Sequence, residues 1–288
     1  MFNTANGCGN SKPMKKIIVP VDFSEHSEYA LETAAALAQK SNAELLVLHM
    51  LEIANAVLTS THTTNETLFF LKLAEKRFEN FLDKDYLKDI QVTPIVKHFK
   101  VFSEVNDVAK EHDADLIIMG SHGASGIKEM LVGSNTEKVV RHSEIPVLIV
   151  KHNPVLMDLE NVVFACNFSE EATKSYTDAK KFFDRIGSTI HLVHVNTPNT
   201  GFRSTPEIEK SVATFLMKVD GNLDKLNAVK YVSDYTVEQG ILNFANTIGA
   251  DLISVATHGR TGLAHLIEGS ISEDIANHSA LPVMTFKM

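Results

Sequence analysis

Short apolar runs alternate with longer amphipathic stretches along most of the chain. The short runs are rich in aliphatic and β-branched residues, which is typical of strands buried on both faces. In the first half of the chain they are KIIVPVD, ELLVLHM, TPIVKHF, DLIIM and IPVLIV. The stretches between them have apolar residues at helical spacing, and the first of these helices is expected to begin after Ser24 as its N-cap. The alternation predicts an α/β fold with a parallel sheet covered by helices on both faces.

The whole pattern occurs twice. The 37 residues that begin at Ala114 align without a gap with those that begin at Ala250, and 14 of the positions are identical. KIIVPVDFSEHS likewise resembles NVVFACNFSEEA in the second half. We therefore predict two tandem doubly wound, Rossmann-like domains at residues 14–151 and 158–288, after a flexible tail over residues 1–13.

Composition narrows the classes of function. The chain has 288 residues, 44% of them apolar, and a formal charge of −9, which argues against nucleic-acid binding. No run approaches the roughly 20 apolar residues of a membrane span, and no signal peptide is evident, so we expect a cytoplasmic protein. Cys8 and Cys166 suggest neither a disulfide framework nor a metal site, and Cys166 is expected to be a buried thiol.

A glycine-rich phrase, GSHGASGIKEMLVGS, follows the fourth predicted strand. Doubly wound sheets bind ligands at the carboxyl ends of their strands, where this phrase and Asp22 both lie. Gly133 and Ser134 open the next helix, where backbone N–H groups favour an anion and the Ser134 hydroxyl is expected to be the N-cap. Asp22 would accept hydrogen bonds from a nucleotide; the alternative is that it only caps the turn DFS. The phrase is not a Walker loop, because no Gly-Lys-Ser/Thr follows its glycines. It is not the dinucleotide-binding fingerprint either, because its glycines follow the fourth strand and not the first.

These residues resemble the universal stress protein family, which carries Gly-x-x-Gly, nine residues and Gly-Ser/Thr after its fourth strand, and an Asp at the end of its first. The resemblance covers nearly the whole chain, twice. It implies five-stranded sheets of order 3-2-1-4-5, and a stress-response regulator that binds ATP and hydrolyses it slowly at most. Mg²⁺ is a candidate companion, because a bound triphosphate often brings this ion with it. Carried over by position, the adenosine would contact Pro20, Val21, Asp22, Met50 and Met119, and the ribose and phosphates would contact Gly120, Gly123, Gly133, Ser134 and Asn135.

The second copy departs from this pattern at two positions. Asn167 stands where the first copy has Asp22, and Ala256 stands where it has Gly120. Ala256 would add a Cβ where a nucleotide approaches, and would be strained at a positive φ. The second copy is thus predicted to keep only the fold, or a weak anion site at Gly259, Gly269 and Ser270.

Several alternatives stay open at this point. The chain could be a structural or interaction module with empty sites; an adenylating enzyme is less favoured, because the signature loops of such enzymes are absent. Met50 and Met119 could be core residues, and His122 is expected to fix the loop by a hydrogen bond. His49 and His194 occupy matching positions and are expected to be hydrogen-bonded sheet residues. The last strand of each copy would lie at a sheet edge, so we expect the copies to pair there and the chains to dimerise.

Overall fold

A computed structural model describes residues 13–51, 63–98, 104–122, 133–151, 153–154, 158–198, 202–257 and 271–288. The first unit contains β1 Lys16–Val21, α1 Glu25–Ser41, β2 Glu44–Leu51, α2 Thr63–Leu82, β3 Val92–His98, α3 Val105–Glu111, β4 Leu116–Gly120, α4 Ser134–His142 and β5 Val147–Val150. The second unit contains β6 Asn161–Ala165, α5 Ala172–Ile186, β7 Thr189–Asn196, α6 Thr205–Val219, β8 Lys230–Ser233, α7 Val237–Ile248, β9 Leu252–Thr257, α8 Ile271–His278 and β10 Val283–Lys287.

The strands form one sheet in the order β3-β2-β1-β4-β5-β10-β9-β6-β7-β8. Within each unit all neighbours are parallel and the order is 3-2-1-4-5, so the predicted fold is confirmed. The two units share the sheet through an antiparallel contact of β5 with β10, in which Leu148 lies opposite Met284. Pairing of the units in solution stays a prediction.

Local sequence accounts for the first helix. Ser24 is its N-cap, as predicted, and the Ser24 hydroxyl accepts the N–H of Ser27 at 3.3 Å. Asn42 ends the helix in the left-handed conformation, with φ 52°. The β1 residues Ile17 and Ile18 point to opposite faces and are both fully buried, which explains the uninterrupted apolar run.

The two faces of the sheet carry different cores. On the face of α1, α2, α5 and α6 the core is rich in aromatic side chains, among them Phe164, Tyr176 and Phe183. On the face of α3, α4, α7 and α8 the buried side chains are aliphatic, together with Met50 and Met119. Met50 and Met119 are thus core residues, one of the two roles that the sequence left open for them. Their role in lining a nucleotide site stays a prediction.

Lys151 lies at the junction of the two units. Its side chain is buried, and Nζ donates to the carbonyl of Ala276 near the end of α8. Burial lowers the pKa of Lys151 to about 8. Among the described helices, none is both long and apolar enough to cross a membrane.

Candidate functional site

The carboxyl ends of β1 and β4 lie side by side. These strands are parallel neighbours, with Ile17 paired to Leu116. Because the chain runs from β1 to β2 on one side while β4 lies on the other, the order of strands reverses here. Asp22 directly follows β1, and Gly120 is the last residue of β4. The fold thus brings both sequence-predicted residues to the same crevice.

Asp22 organises the turn that leads into α1. Its Oδ1 accepts the N–H of Ser24 at 3.0 Å and also accepts the hydroxyl of Ser27. The Asp22 N–H donates in turn to Oγ of Ser27 at 3.1 Å. These contacts support the capping role that the sequence left open. A role in ligand binding stays a prediction.

The next residue, Phe23, has a left-handed backbone with φ 65°, which is unusual for a bulky residue. Its ring lies 4.4 Å from the His49 ring, centroid to centroid. His49 Nδ1 donates to the carbonyl of Val21 at 2.9 Å, so this imidazole fixes the end of β1. Burial lowers the pKa of His49, so its neutral form is favoured.

The second unit repeats this arrangement. Phe168 has φ 57°, and His194 Nδ1 donates to the carbonyl of Cys166 at 3.3 Å. Both histidines are therefore hydrogen-bonded sheet residues, as predicted. The sequence analysis did not predict the left-handed backbone of Phe23 and Phe168. The only local sign was that the dipeptide Phe-Ser recurs after the first strand of both copies. Cys166 is a buried thiol, and its burial raises its pKa to about 12.

Gly120 is required by a close approach of the backbone. A Cβ at this position would lie 2.7 Å from the carbonyl oxygen of His26 in α1. Its φ is not in the positive range, so the close approach of α1 and not a left-handed backbone is what favours glycine here. The Cβ of Ala256 was expected to obstruct a nucleotide in the second unit. In the first unit, a Cβ added at Gly120 would instead clash with α1.

The first turn of α4 is tied to the end of β4. The Gly133 N–H donates to the carbonyl of Ser121 at 2.7 Å, and the Thr136 hydroxyl donates to the carbonyl of Gly120 at 2.9 Å. Gly133 is the N-cap and Ser134 is the first helical residue, so the prediction of Ser134 as the N-cap was wrong by one position. The amides of Ser134 and Asn135 belong to the first turn, where N–H groups have no acceptor within the helix. Thr136 was missed in the sequence.

The remaining predicted residues lie on both faces of the sheet. Met50 and Met119 pack in the aliphatic core, while Val21 packs in the aromatic core on the opposite face. Pro20 is buried and alternates with Val21, so it shares the face of the methionines. The structure thus brings Pro20, Met50 and Met119 to one face and separates the Val21 side chain from them.

Some predicted positions fall outside the residues that the structure describes. These are Gly123, Gly259, Gly269 and Ser270. His122, just before the undescribed stretch, lies 3.0 Å through Nδ1 from the Ser121 hydroxyl, which agrees with a local hydrogen bond. Within the described part of the chain, no cluster of His, Cys, Asp or Glu could hold a metal ion.

The turn after β6 matches the turn after β1 only in part. Asn167 Oδ1 accepts the N–H of Ser169 at 3.0 Å, as Asp22 does for Ser24. Ala172 stands where the first unit has Ser27, so the second hydroxyl contact cannot form. Helix α5 begins at Ala172, two aligned positions later than α1 does.

Comparison with known proteins identifies the repeated unit. The profile described as "Universal stress protein family" matches residues 13–151 and again residues 159–287. The chain belongs to this family. It is similar to the universal stress protein MJ0577 of Methanocaldococcus jannaschii, with 34% identity over 48% of this chain and 94% of the relative. It is also similar to the universal stress protein YxiE of Bacillus subtilis, with 34% identity over 47% of this chain and 98% of the relative.

One solved structure aligns with nearly the whole chain, across both units. A universal stress protein from Archaeoglobus fulgidus DSM 4304 aligns over 95% of this chain and 98% of its own, with a TM-score of 0.66. Its identity of 23% supports the fold alone. Each of the two curated relatives, by contrast, spans about half of this chain, the length of one unit.

Proposed function

We propose that the first unit binds an adenine nucleotide and that this binding regulates a stress response. The observation that carries the proposal is the anchoring of α4: two hydrogen bonds, from Gly133 and Thr136, hold its N-terminus against the end of β4. The first turn of α4 therefore lies near the end of β4, the strand next to β1, which supports the proposal. Backbone N–H groups and the helix dipole favour the phosphates of a nucleotide at such a place.

In this proposal the bound nucleotide is ATP, with Mg²⁺ on its phosphates. The amides of Ser134 and Asn135 contact the phosphates, while Asp22 contacts the sugar or base. Pro20, Met50 and Met119 form the apolar boundary of the adenosine site from one face of the sheet. Gly120 and Gly123 belong to the same site, Gly120 by letting α1 approach β4.

The function we propose is regulatory rather than catalytic. Occupancy of the first unit changes the surface presented to a partner, and the two units stay paired through β5 and β10. The second unit then contributes the fold and the pairing surface. Dimerisation of whole chains is part of the proposal, and light scattering of the purified protein tests it.

A second candidate is an interaction module that binds no nucleotide. The internal contacts of the site favour it, because Asp22 already accepts from Ser24 and Ser27, and the Gly133 N–H already donates to Ser121. In that case these residues serve only to cap α1 and to join α4 to the sheet.

Calorimetric titration of nucleotide-stripped protein with ATP and Mg²⁺ separates the two candidates. One site per chain supports the proposal, while the absence of heat and of retained nucleotide supports the interaction module. Asp22→Asn removes the charge yet can keep the turn, because Asn167 makes the same turn in the second unit. We expect it to weaken binding about tenfold or more, the effect of losing a charged hydrogen bond.

Gly133→Val tests the anion site, because it adds a branched side chain at the N-cap of α4 and is expected to abolish binding. Its matched control is Gly269→Val in the second unit, which is expected to leave binding unchanged. Two sites per chain, or equal effects of the two valines, would show that the second unit also binds nucleotide.

A further inference from the structure

The sheet ends in two strands, β3 and β8, which have one neighbour each among the described strands. The strands that the sequence indicated as sheet edges, β5 and β10, pair with each other within the chain. Dimerisation of whole chains, which the proposed function includes, therefore needs a different surface. An edge strand offers unpaired N–H and C=O groups to a strand of another chain, so β3 and β8 are the two places to consider.

A proline protects the edge at β3. The Leu45 N–H donates to the carbonyl of Gln91, and backbone groups of alternate residues in a parallel strand point to opposite sides. Even-numbered residues of β3 therefore point away from β2, and Pro94 is one of them. Proline has no N–H to donate, and its placement on an outward position is a usual protection against pairing.

The edge at β8 has no such protection. The Asp234 N–H donates to the carbonyl of Asn196 in β7 at 3.4 Å, so even-numbered residues of β8 point to β7. Tyr231 and Ser233 point outward. No hydrogen bond within the described part of the chain uses the N–H of either residue.

The free edge ends on both sides of these two residues. The Val229 N–H donates to the carbonyl of Lys225 at 3.2 Å. The Tyr235 N–H donates to Oδ1 of Asp234 at 2.7 Å. An incoming strand thus finds two unused outward N–H groups, and they are two residues apart.

Exposed apolar side chains are concentrated in the same part of the molecule. Among the described residues, all of the exposed large hydrophobic side chains except Leu73 belong to the segment that forms α6, β8 and their flanking turns. They are Phe202, Met217, Leu223, Tyr231 and Tyr235. Such a concentration of exposed apolar residues is typical of an interaction surface.

We propose that β8 pairs antiparallel with β8 of a second copy of the chain, with Val232 opposite the partner's Val232. In this register Tyr231 and the partner's Ser233 exchange both backbone hydrogen bonds, so all four outward N–H groups of the pair gain an acceptor. Centring the pair on Tyr231 or on Ser233 would instead use Val229 or Tyr235, whose N–H groups are already bonded.

Charge complementarity favours a second copy as the partner. In the same register Lys230 lies opposite the partner's Asp234, and the two-fold axis makes this contact twice. An edge lysine normally opposes pairing, so it selects the one register that neutralises it. Asp234 already accepts from Asn243 at 2.9 Å, and a carboxylate has room for further donors. The paired assembly leaves only the proline-protected β3 edges, so it stops at two chains.

Sedimentation equilibrium of the full chain without nucleotide tests the surface, and we expect a dimer. Ser233→Pro removes an outward N–H at a position where an edge strand tolerates proline. It should weaken the dimer about 30-fold or more, because the symmetric pair loses two hydrogen bonds. Ser233→Ala is the matched control, because it keeps the N–H, and it should stay dimeric.

Lys230→Glu tests the charge pairing. It places like charges opposite each other twice and should weaken the dimer about tenfold or more at low salt. Lys76→Glu makes the same change of charge at an exposed position of α2 and should leave the dimer unchanged.

A cysteine cross-link tests the register even if Ser233→Pro fails to fold. In a Cys8→Ser background, Val232→Cys should form a disulfide-linked dimer on mild oxidation, because the two Cα atoms would lie about 4.5 Å apart. Lys230→Cys should not, because its two copies would lie about 14 Å apart. The inference is overturned if the unchanged chain is monomeric, if folded Ser233→Pro stays as dimeric as Ser233→Ala, or if Val232→Cys does not cross-link.

This inference rests on the dimerisation within the proposed function and not on nucleotide binding. A dimer that survives Ser233→Pro would refute the β8 surface while leaving dimerisation itself intact. Monomeric Ser233→Pro protein should bind ATP like the unchanged chain. If neither protein binds ATP, the nucleotide site is refuted and the pairing of β8 stands.

Discussion

Substitution of Gly120 by alanine tests the contact that holds α1 against the end of β4. The new Cβ would lie 2.7 Å from the His26 carbonyl oxygen and 2.8 Å from the His26 carbonyl carbon. Ordinary contacts of a Cβ begin at about 3.4 Å. The atoms in the way belong to the helix backbone, so no side-chain rotation can relieve the clash. Either α1 shifts away from the sheet or β4 bends.

The cost of this shift follows from known cases of overpacking. Inserting a methyl into a packed interior costs about 1–3 kcal/mol in the free energy of unfolding. Each kcal/mol lowers the melting temperature by roughly 2–4 °C for domains of 150–250 residues. Ala256→Gly is the matched change in the second unit, where the helix begins later. It should cost no more than about 1 kcal/mol, the usual effect of glycine within a strand.

Urea denaturation followed by circular dichroism measures both variants against the unchanged chain. We expect Gly120→Ala to lower the urea midpoint clearly and Ala256→Gly to lower it slightly. A shift of α1 would move the turn at Asp22, which joins β1 to α1. Gly120→Ala should therefore also weaken ATP binding if the proposed site is correct. Unchanged stability of Gly120→Ala would refute the claim that close approach of α1 is what requires glycine here.

Three further predictions concern titratable groups that are buried or, in the case of His49, half-buried. Lys151→Met should stabilise the chain at pH 7, because the native state disfavours the charged amine. As the pH rises from about 8 to 10.5 the native amine loses its proton first, so the stability that the variant gains over the unchanged chain should shrink by about 3 kcal/mol, measured by urea midpoints. His49 is held neutral by burial, so its contribution to stability is present above pH 6.5 and is lost as the pH falls below it; His49→Gln should reduce this loss in the same assay. In a Cys8→Ser background, Cys166 should resist alkylation at pH 8 until urea is added, since its thiol is buried and its pKa is raised to about 12; rapid labelling of native protein would contradict this.

The periodicity of apolar residues was sufficient to predict the strands and the parallel sheet, and alignment of the chain with itself predicted the duplication. The strand order came from the family resemblance rather than from the residues, because apolar runs do not show which strands are neighbours. At the candidate site, Asp22, Gly120 and Gly133 were predicted because each sits directly at the end of a strand or the start of a helix. Ser134 was placed one residue too early in its helix, since side-chain chemistry alone does not separate an N-cap from the first helical residue.

Other features depend on contacts between distant parts of the chain and could not be read from local sequence. The left-handed backbone of Phe23 is stabilised by the packing of its ring on His49 from another strand. The requirement for glycine at position 120 comes from His26, far away in sequence. A cavity of about 160 Å³ between the last turns of α1 and α5 exists only because two copies of the unit share one sheet.

The differences between the two copies are best understood as coupled substitutions. In the first unit, Asp22 and Ser27 bond to each other, and together they start α1 close to β4. In the second unit both are replaced, by Asn167 and Ala172, and the helix begins later. The fourth strand of the same unit ends with Ala256 at the position of Gly120. If the first unit binds nucleotide as proposed, we expect an equivalent site in the second unit to need changes at Asn167 and Ala172 as well as Ala256→Gly.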